Sequence, residues 1–250
     1  MDDDKKPIAI IAVVLAVVMG GAAWWFLRRP EAPANTTPRA VVATEAPIDK
    51  PAAPPVHLPP LDQMDAFLRP LLSALSARPE LARWLATDDL VRQLAFALDH
   101  ASKGNSPARD FKVIAPREPF RISGRGTTRT IDPRSYRRYD GLVATLTSID
   151  ASAAARVYAT IKPRLNEAYQ GLGNRGKTVD DAMNETLEIV LDTPLLKDPI
   201  EVVEVGGAGW AFADEDLESL TQTQRQLLRM GPANTDRVLV WLRAFQAALQ

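Results

Sequence analysis

The longest apolar stretch of the chain lies near its N-terminus. Pro7–Leu27 contains no ionisable residue, and basic pairs flank it on both sides, Lys5-Lys6 and Arg28-Arg29. A helix of roughly 20 apolar residues crosses the ~30 Å hydrocarbon core of a bilayer. Trp24 and Trp25 lie at the C-terminal end of this stretch, and tryptophan is enriched in the headgroup layer of membranes. The pattern predicts one transmembrane helix within residues 1–29, which contacts the lipid bilayer through Pro7–Leu27.

A cleaved signal peptide is the alternative for this segment, because Gly20–Ala23 offers a small-residue cleavage site. The apolar run continues through Trp24–Leu27 and then meets a basic pair, which favours an uncleaved signal anchor. Lysine and arginine counts are equal on the two sides, so the positive-inside rule does not decide orientation. The short N-terminal tail favours a cytosolic N-terminus. We therefore expect a single-pass protein of the bacterial inner membrane whose C-terminal domain is periplasmic.

Residues 30–60 are rich in proline and alanine and show neither helical nor alternating apolar spacing. Proline fixes φ and lacks a backbone donor, so the segment is predicted to be a semi-extended linker. At ~3.1 Å per residue it reaches at most ~90 Å. A proline-rich ligand for a partner domain is the alternative interpretation.

From Leu61 to the C-terminus, apolar residues recur at intervals of three and four, which is typical of amphipathic helices. Proline and capping residues set the expected boundaries. The predicted helices are 61–75, kinked or divided at Pro70; 79–86; 90–101, capped by Asp88; a run carrying Tyr136–Ile149, capped by Asp132; a run after Asp150, bent at Pro163; a run from Thr178; 216–230, capped by Asp214; and 233–249.

Two short alternating segments, Phe120–Ser123 and Thr128–Ile131, flank the glycine-containing Gly124–Thr127 and predict a β-hairpin. The β-branched run Ile200–Val205 predicts a strand that pairs with it, and the glycines at 206–209 are expected to end it. The glycine spacing in the hairpin matches neither a P-loop nor a dinucleotide fingerprint. The fold class is therefore mainly α with a minor β-hairpin and small sheet, in one globular domain, 61–250.

Composition excludes several kinds of chemistry. The chain has no cysteine, which excludes disulfides, thiolate zinc sites, iron–sulfur clusters and cysteine nucleophiles. It has only two histidines, His57 in the linker and His100 near a helix end, which argues against metal or histidine catalysis. We therefore predict no cofactor. The net charge of −1 also gives no global attraction to nucleic acid, which we do not expect as a partner.

A basic cluster between residues 109 and 138 is the first candidate site, with nine basic side chains against three acidic ones. Exposed arginines bind anionic polymers and lipid headgroups. The alternative is a solvated hairpin whose charges pair within the domain, for instance with the acidic block between Asp180 and Glu218. The candidate binding residues are Arg121, Arg125, Arg129, Arg137, Arg138, Tyr136 and Tyr139.

Two acidic groups are further candidate sites. Asp214–Asp216 resembles a divalent-ion cluster, but helix capping and the helix dipole explain the same acids. Asp140 and Glu167, each near tyrosines, have the paired carboxylates that glycan cleavage needs. Hydrogen bonding to those tyrosines is the structural alternative. We favour these alternatives and predict no catalytic residue and no metal ligand.

Several short strings distinguish the C-terminal part of the chain: Tyr139-Asp140, Asn166–Tyr169 with Leu172-Gly173, Phe212–Asp214 and Leu228–Pro232. Together they resemble a bacterial domain-of-unknown-function family of small, single-span, membrane-anchored envelope proteins. The resemblance covers roughly Leu61 to Gln250. It implies a membrane-anchored architecture and no established activity.

The leading hypothesis is a non-enzymatic, membrane-anchored envelope protein whose helical periplasmic domain binds an envelope protein or peptidoglycan. It rests on the anchor, the long linker and the missing catalytic constellation. A cell-wall glycan hydrolase using Asp140 or Glu167 is one alternative. A regulator of a neighbouring membrane enzyme is the other.

Overall fold

The computed structural model describes residues 57–107, 110–126, 128–197, 199–206 and 209–250. The predicted anchor Pro7–Leu27 and nearly all of the predicted linker lie outside these residues. Across the described ranges, no helix combines the length and apolar character needed to cross a membrane.

Helices account for most of the described chain, and all of them fall within or next to the predicted runs. They are α1 (Met64–Ser73, after a 3-10 turn at Leu61–Gln63), α2 (Pro79–Leu85), α3 (Leu90–Ser102), α4 (Pro133–Arg137), α5 (Asp140–Thr147), α6 (Ala151–Gly171), α7 (Val179–Leu191), α8 (Glu215–Ser219), α9 (Gln222–Leu228) and α10 (Pro232–Leu249), with a further 3-10 turn at Lys112–Ile114.

Two hydrophobic clusters hold these elements together. In the larger, α3 packs on α6 and α7, and α10 packs on α5 and α6. Its fully buried members include Trp84, Tyr139, Tyr169 and Phe245. The smaller lies under the sheet and is formed by Ile131, Tyr136, Ile200, Val202, Phe212 and Leu228.

Four antiparallel strands form the sheet in the order β1-β2-β3-β4: β1 (Ile122–Ser123), β2 (Thr128–Ile131), β3 (Glu201–Val205) and β4 (Gly209–Phe212). Ile122 lies opposite Ile131 in the hairpin, and Arg129 lies opposite Val202. The predicted hairpin and its pairing with the later strand are therefore confirmed.

The fourth strand was not predicted from the sequence. Gly206 adopts a left-handed φ of 60°, and the chain then returns alongside β3 instead of leaving the sheet. Two side chains satisfy backbone groups of this edge strand. Arg229 donates to the Trp210 carbonyl at 2.7 Å, and Glu218 accepts from the Phe212 amide at 2.9 Å. Such contacts reduce the capacity of an edge strand to pair with another chain.

The predicted cap of α3 is wrong. Asp89 precedes the helix, with φ of 58°, and Asp88 forms an ion pair with Arg69 at 3.1 Å instead. Asp65 on α1 caps the helix instead. Its carboxylate accepts from the backbone amide of Asp89 at 2.8 Å and from that of Leu90 at 2.9 Å. A residue more than twenty positions away thus supplies the cap, which helix-terminus rules based on neighbouring residues do not consider.

Two of the predicted helices are divided in the structure. The run containing Tyr136–Ile149 separates into α4 and α5. Asn234 bridges the junction by donating to the Tyr136 carbonyl at 3.2 Å and to Asp140 at 2.9 Å. The run 216–230 separates into α8 and α9, where Thr221 and Gln224 form a capping box. By contrast, α6 continues through Pro163.

Candidate anion-binding site

A cleft of about 490 Å³ opens where α2, the segment 114–121, α4 and the start of α5 meet. Six arginines and two glutamates contribute to its lining, and no lysine does. We refer to it as the arginine cleft. Its charged lining residues are Arg83, Arg117, Arg121, Arg134, Arg137, Arg138, Glu80 and Glu118.

Ser135, at the centre of α4, fixes one wall of the cleft. Its hydroxyl accepts from the Arg121 amide at 2.7 Å and donates to the Arg121 carbonyl at 2.7 Å. The Asp132 amide donates to the same carbonyl at 3.1 Å. Ser135 is fully buried. These bonds tie the backbone of Arg121 to the helix that carries three further arginines of the lining.

Asp132 stabilises the start of α4, as predicted. Its carboxylate caps the helix by accepting from the Arg134 amide at 2.8 Å. It also pairs side-on with the guanidinium of Arg134, with a shortest distance of 2.6 Å, and accepts from Ser123 at 3.1 Å. The Arg134 side chain and then its amide hold the pKa of Asp132 far below the ordinary value for aspartate.

This lowered pKa predicts an acid-dependent stability difference between the wild type and Asp132→Asn. The folded carboxylate stays ionised below pH ~3.9, where an unfolded aspartate takes up its proton. Its stabilisation is therefore complete above pH ~3.9 and is lost as pH falls toward the folded pKa. The wild type should have the higher Tm at neutral pH, and the gap should shrink below about pH 4. Thermal unfolding from neutral to acid pH measures this; a constant gap would contradict the assignment.

Arg138 is held in place by neutral groups. Its Nε donates to the Ser135 carbonyl at 2.9 Å, and its Nη1 donates to the Glu118 carbonyl at 3.0 Å. Its guanidinium lies 5.4 Å from the ring centroids of both Phe120 and Tyr139. Its Nη2 is buried and has no acceptor among the described residues. The positive charge of Arg138 is therefore left without a carboxylate partner at the wall of the cleft.

One of the two acidic residues of the lining is already engaged. Glu80 pairs with Arg83 at 3.4 Å and accepts from the Thr145 hydroxyl at 3.1 Å. Its side chain is only 16% exposed. This carboxylate joins α2 to α5 and neutralises the arginine that α2 contributes.

Three arginines of the lining, Arg117, Arg121 and Arg137, are exposed. Within the described part of the chain, no ion pair engages any of them. With Arg138, they give the cleft four guanidinium groups without a carboxylate partner, against the single remaining carboxylate of Glu118. Such a surface attracts anions, and guanidinium groups bind carboxylates and phosphates through paired hydrogen bonds.

The cleft contains three of the predicted binding arginines, Arg121, Arg137 and Arg138. The other two belong to the hairpin and are not part of its lining. Arg125 lies in the exposed turn. Arg129 donates to the Gly126 carbonyl at 3.3 Å and stacks 5.2 Å from the Trp210 ring centroid.

The two predicted binding tyrosines are core residues. Tyr139 is fully buried, and Gln226 donates to its hydroxyl at 3.5 Å. Burial raises the pKa of Tyr139 to about 12. Tyr136 is 8% exposed and belongs to the cluster beneath the sheet. Both rings pack inside the domain and do not present a surface to a partner.

Arg83 of the cleft was not anticipated from the sequence. It lies on α2, 34 residues before Arg117, and the packing of α2 against α5 and against the 3-10 turn Lys112–Ile114 brings it to the site. Arg117 and Arg134 belonged to the predicted basic cluster but were not singled out. The signal that does identify the site is the density of arginine between residues 117 and 138.

The acidic groups considered from the sequence have structural partners. Asp140 accepts from Asn234, and Glu167 pairs with Arg164 at 2.7 Å. Asp214 caps α8 by accepting from the Asp216 amide at 2.9 Å. Throughout the described ranges, no group of histidine, aspartate and glutamate has a geometry that could hold a metal ion.

His100 also has a structural environment. Its Nδ1 lies 3.1 Å from the Phe96 carbonyl, and its ring centroid lies 4.0 Å from that of Phe96. This fits the interpretation of a core-edge imidazole.

A comparison with protein families identifies the domain. The profile described as "Protein of unknown function (DUF3014)" matches residues 90–246. The chain belongs to this family. The match agrees with the predicted resemblance to a family of unknown function, and the family's description names no activity. No curated protein and no solved structure matches the chain. The matched region contains most of the arginine cleft, whereas Glu80 and Arg83 on α2 precede it.

Proposed function

We propose that this DUF3014 domain is the binding part of a non-enzymatic, membrane-anchored envelope protein. In this proposal the arginine cleft receives an anionic group of an envelope protein or of peptidoglycan. The observation that carries the proposal is the excess of guanidinium groups in one cleft. Arg117, Arg121, Arg137 and Arg138 have no carboxylate partner among the described residues, and one unengaged carboxylate, Glu118, opposes them.

The way the cleft is held supports a binding role. Ser135 fixes the backbone of Arg121, and backbone carbonyls fix the guanidinium of Arg138. A site whose groups are already positioned loses less conformational entropy when a ligand binds. Four like charges brought together also repel one another in the free protein. An anionic ligand relieves that repulsion, which favours binding further.

Two features favour binding over glycan hydrolysis. A glycosidase needs one carboxylic acid to donate a proton and a second carboxylate that acts as base or nucleophile across the same bond. Asp140 instead accepts from Asn234 at the α4–α5 junction, and Glu167 forms an ion pair on the surface of α6. Each carboxylate is used by a different part of the fold.

The position of the domain in the cell is part of the proposal and comes from the sequence. Pro7–Leu27 would anchor the chain in the inner membrane, and residues 30–60 would hold the domain in the periplasm. The first described residues enter the domain along α6, where Arg164 donates to the Leu58 carbonyl at 3.1 Å and to the Pro59 carbonyl at 2.8 Å. This contact would fix the point from which the linker leaves the domain.

Crosslinking in cells that produce the full chain tests the proposal. The variant Arg117→Gln/Arg121→Gln/Arg137→Gln removes three exposed charges of the cleft and leaves Ser135, Asp132 and Arg138 in place. We expect it to recover the envelope partner at least about tenfold less well than the wild type, because charge-assisted hydrogen bonds contribute ~1.5–3 kcal/mol each. Quantitative mass spectrometry of the crosslinked material measures the loss.

A second triple variant provides the matched control. Arg156→Gln/Arg175→Gln/Arg243→Gln removes the same charge from exposed positions outside the cleft. It should recover the partner as the wild type does. Equal recovery by both triple variants would refute the role of the cleft. If the recovered partner is a membrane enzyme whose rate changes with the cleft variant, the protein acts as its regulator.

A further inference from the structure

We propose that the arginine cleft is specific for a phosphoryl group, carried either by an anionic lipid headgroup or by a free phosphorylated molecule. This inference goes beyond the proposed function, because it assigns to the same cleft a lipid headgroup or a free phosphorylated molecule, which is neither an envelope protein nor peptidoglycan. It concerns the same four arginines, which have no carboxylate partner in the part of the chain that the structure describes. It proposes phosphate, and not carboxylate, as their natural ligand.

The composition of the lining is the first argument. All six cationic side chains are arginine, although lysine would supply the same charge. Arginine differs from lysine in its planar fork of N–H donors, which matches the oxygen pairs of phosphate and carboxylate. A site that needed only positive potential would have no reason to exclude lysine. The lining therefore favours recognition of an oxyanion through directed hydrogen bonds.

The number of directions from which the arginines come is the second argument. Arg117 and Arg121 belong to the segment between the 3-10 turn and β1, whereas Arg137 ends α4 and Arg138 is its C-cap. A carboxylate offers two oxygens in one plane and is served by one side-on guanidinium, as Asp132 is by Arg134. A phosphoryl group offers three acceptor oxygens directed away from one centre. It can accept from arginines on both walls at once.

The size and apolar parts of the cleft are the third argument. A volume of about 490 Å³ lies within the range of small-molecule sites, roughly 300–1,000 Å³. It exceeds what one phosphate fills. Ile114, Pro116, Pro119 and Leu142 contribute apolar surface beside the arginines. An organic part attached to the phosphoryl group would contact this apolar surface. A second phosphoryl group would contact further arginines.

Isothermal titration calorimetry on the full chain in non-ionic detergent tests this proposal at constant ionic strength. The three probes are pyrophosphate, citrate, which carries a similar negative charge on carboxylates, and dihexanoyl phosphatidic acid below its micelle concentration. We expect pyrophosphate or the short-chain lipid to bind saturably and at least about tenfold more tightly than citrate. The Arg117→Gln/Arg121→Gln/Arg137→Gln variant should weaken that binding at least about tenfold, and the Arg156→Gln/Arg175→Gln/Arg243→Gln control should not.

A lysine variant separates fork geometry from charge. Arg117→Lys/Arg121→Lys/Arg137→Lys keeps every charge, and we expect it to lose most of the preference for pyrophosphate over citrate. Binding of the short-chain lipid alone identifies a headgroup as the source, and binding of pyrophosphate as well identifies free phosphorylated molecules. Citrate binding as tight as either probe, or no saturable binding of either phosphorylated probe, overturns the proposal. A cleft-dependent partner in the crosslinking experiment would leave the proposed function standing in that case.

Discussion

Replacing Gly231 by alanine is expected to destabilise the domain by about 2–5 kcal/mol. Gly231 precedes α10 with φ of 83° and ψ of 158°, a backbone conformation that is essentially restricted to glycine and costs about 1–3 kcal/mol for other residues. A Cβ there would also lie 2.4 Å from Cγ and 2.7 Å from Cδ1 of Tyr136. The Tyr136 ring is buried, so it cannot move aside without disturbing the cluster beneath the sheet.

Guanidinium denaturation followed by circular dichroism measures this effect. Gly173→Ala is the matched control, because Gly173 also has positive φ, 96°, but has no atom within 4 Å of an added Cβ. It should show the backbone cost alone, about 1–2 kcal/mol. If the two variants lose the same stability, the contact with Tyr136 does not matter and the prediction for Gly231 is wrong.

Replacing Trp84 by alanine is expected to cost about 3–5 kcal/mol, the usual range for truncating a buried aromatic residue. Trp84 is 1% exposed and lies in the larger core cluster. Its indole N–H donates to Gln93 at 3.0 Å, and the Gln93 amide donates to the Thr87 hydroxyl at 2.9 Å and to the Asp88 carbonyl at 2.7 Å. The side chain therefore joins α2, the following turn and α3.

Trp84→Phe separates packing from hydrogen bonding in this prediction. It keeps most of the buried ring area but leaves Gln93 without its donor, so it should cost about 1–3 kcal/mol. The same denaturation experiment compares the two variants, and an equal loss for both would show that the aromatic ring contributes little.

Features governed by residues close together in the chain could be predicted from the sequence. Asp150 accepts from the Ala153 amide at 2.7 Å, and Thr178 forms a capping box with Asp181. Both place helix starts where the sequence indicated them. The hairpin follows from alternation and glycine, and the density of arginine between 117 and 138 located most of the candidate site. These signals act within a few residues, so the sequence contains all that is needed.

Features that depend on contact between distant residues could not be predicted in this way. Asn234 bridges the junction of α4 and α5 from a distant helix, and Asp65 caps a helix two elements later. The burial of Tyr139 and the position of Arg83 in the cleft also depend on contacts between residues far apart in the chain. The chemical type of a side chain limits which groups it can contact. It does not determine which surface of the folded protein the side chain will contact.

The sequence by itself determined the helical class of this protein, the hairpin and most of the helix starts, because hydrophobic period and capping are local properties. It also supplies the predicted anchor at Pro7–Leu27, which lies outside the described residues. Only the tertiary structure decided that Arg117, Arg121, Arg137 and Arg138 share one cleft. Packing of α2, α4 and α5 sets that arrangement. Four charges with no carboxylate partner among the described residues become a binding site only when the fold holds them around the same volume.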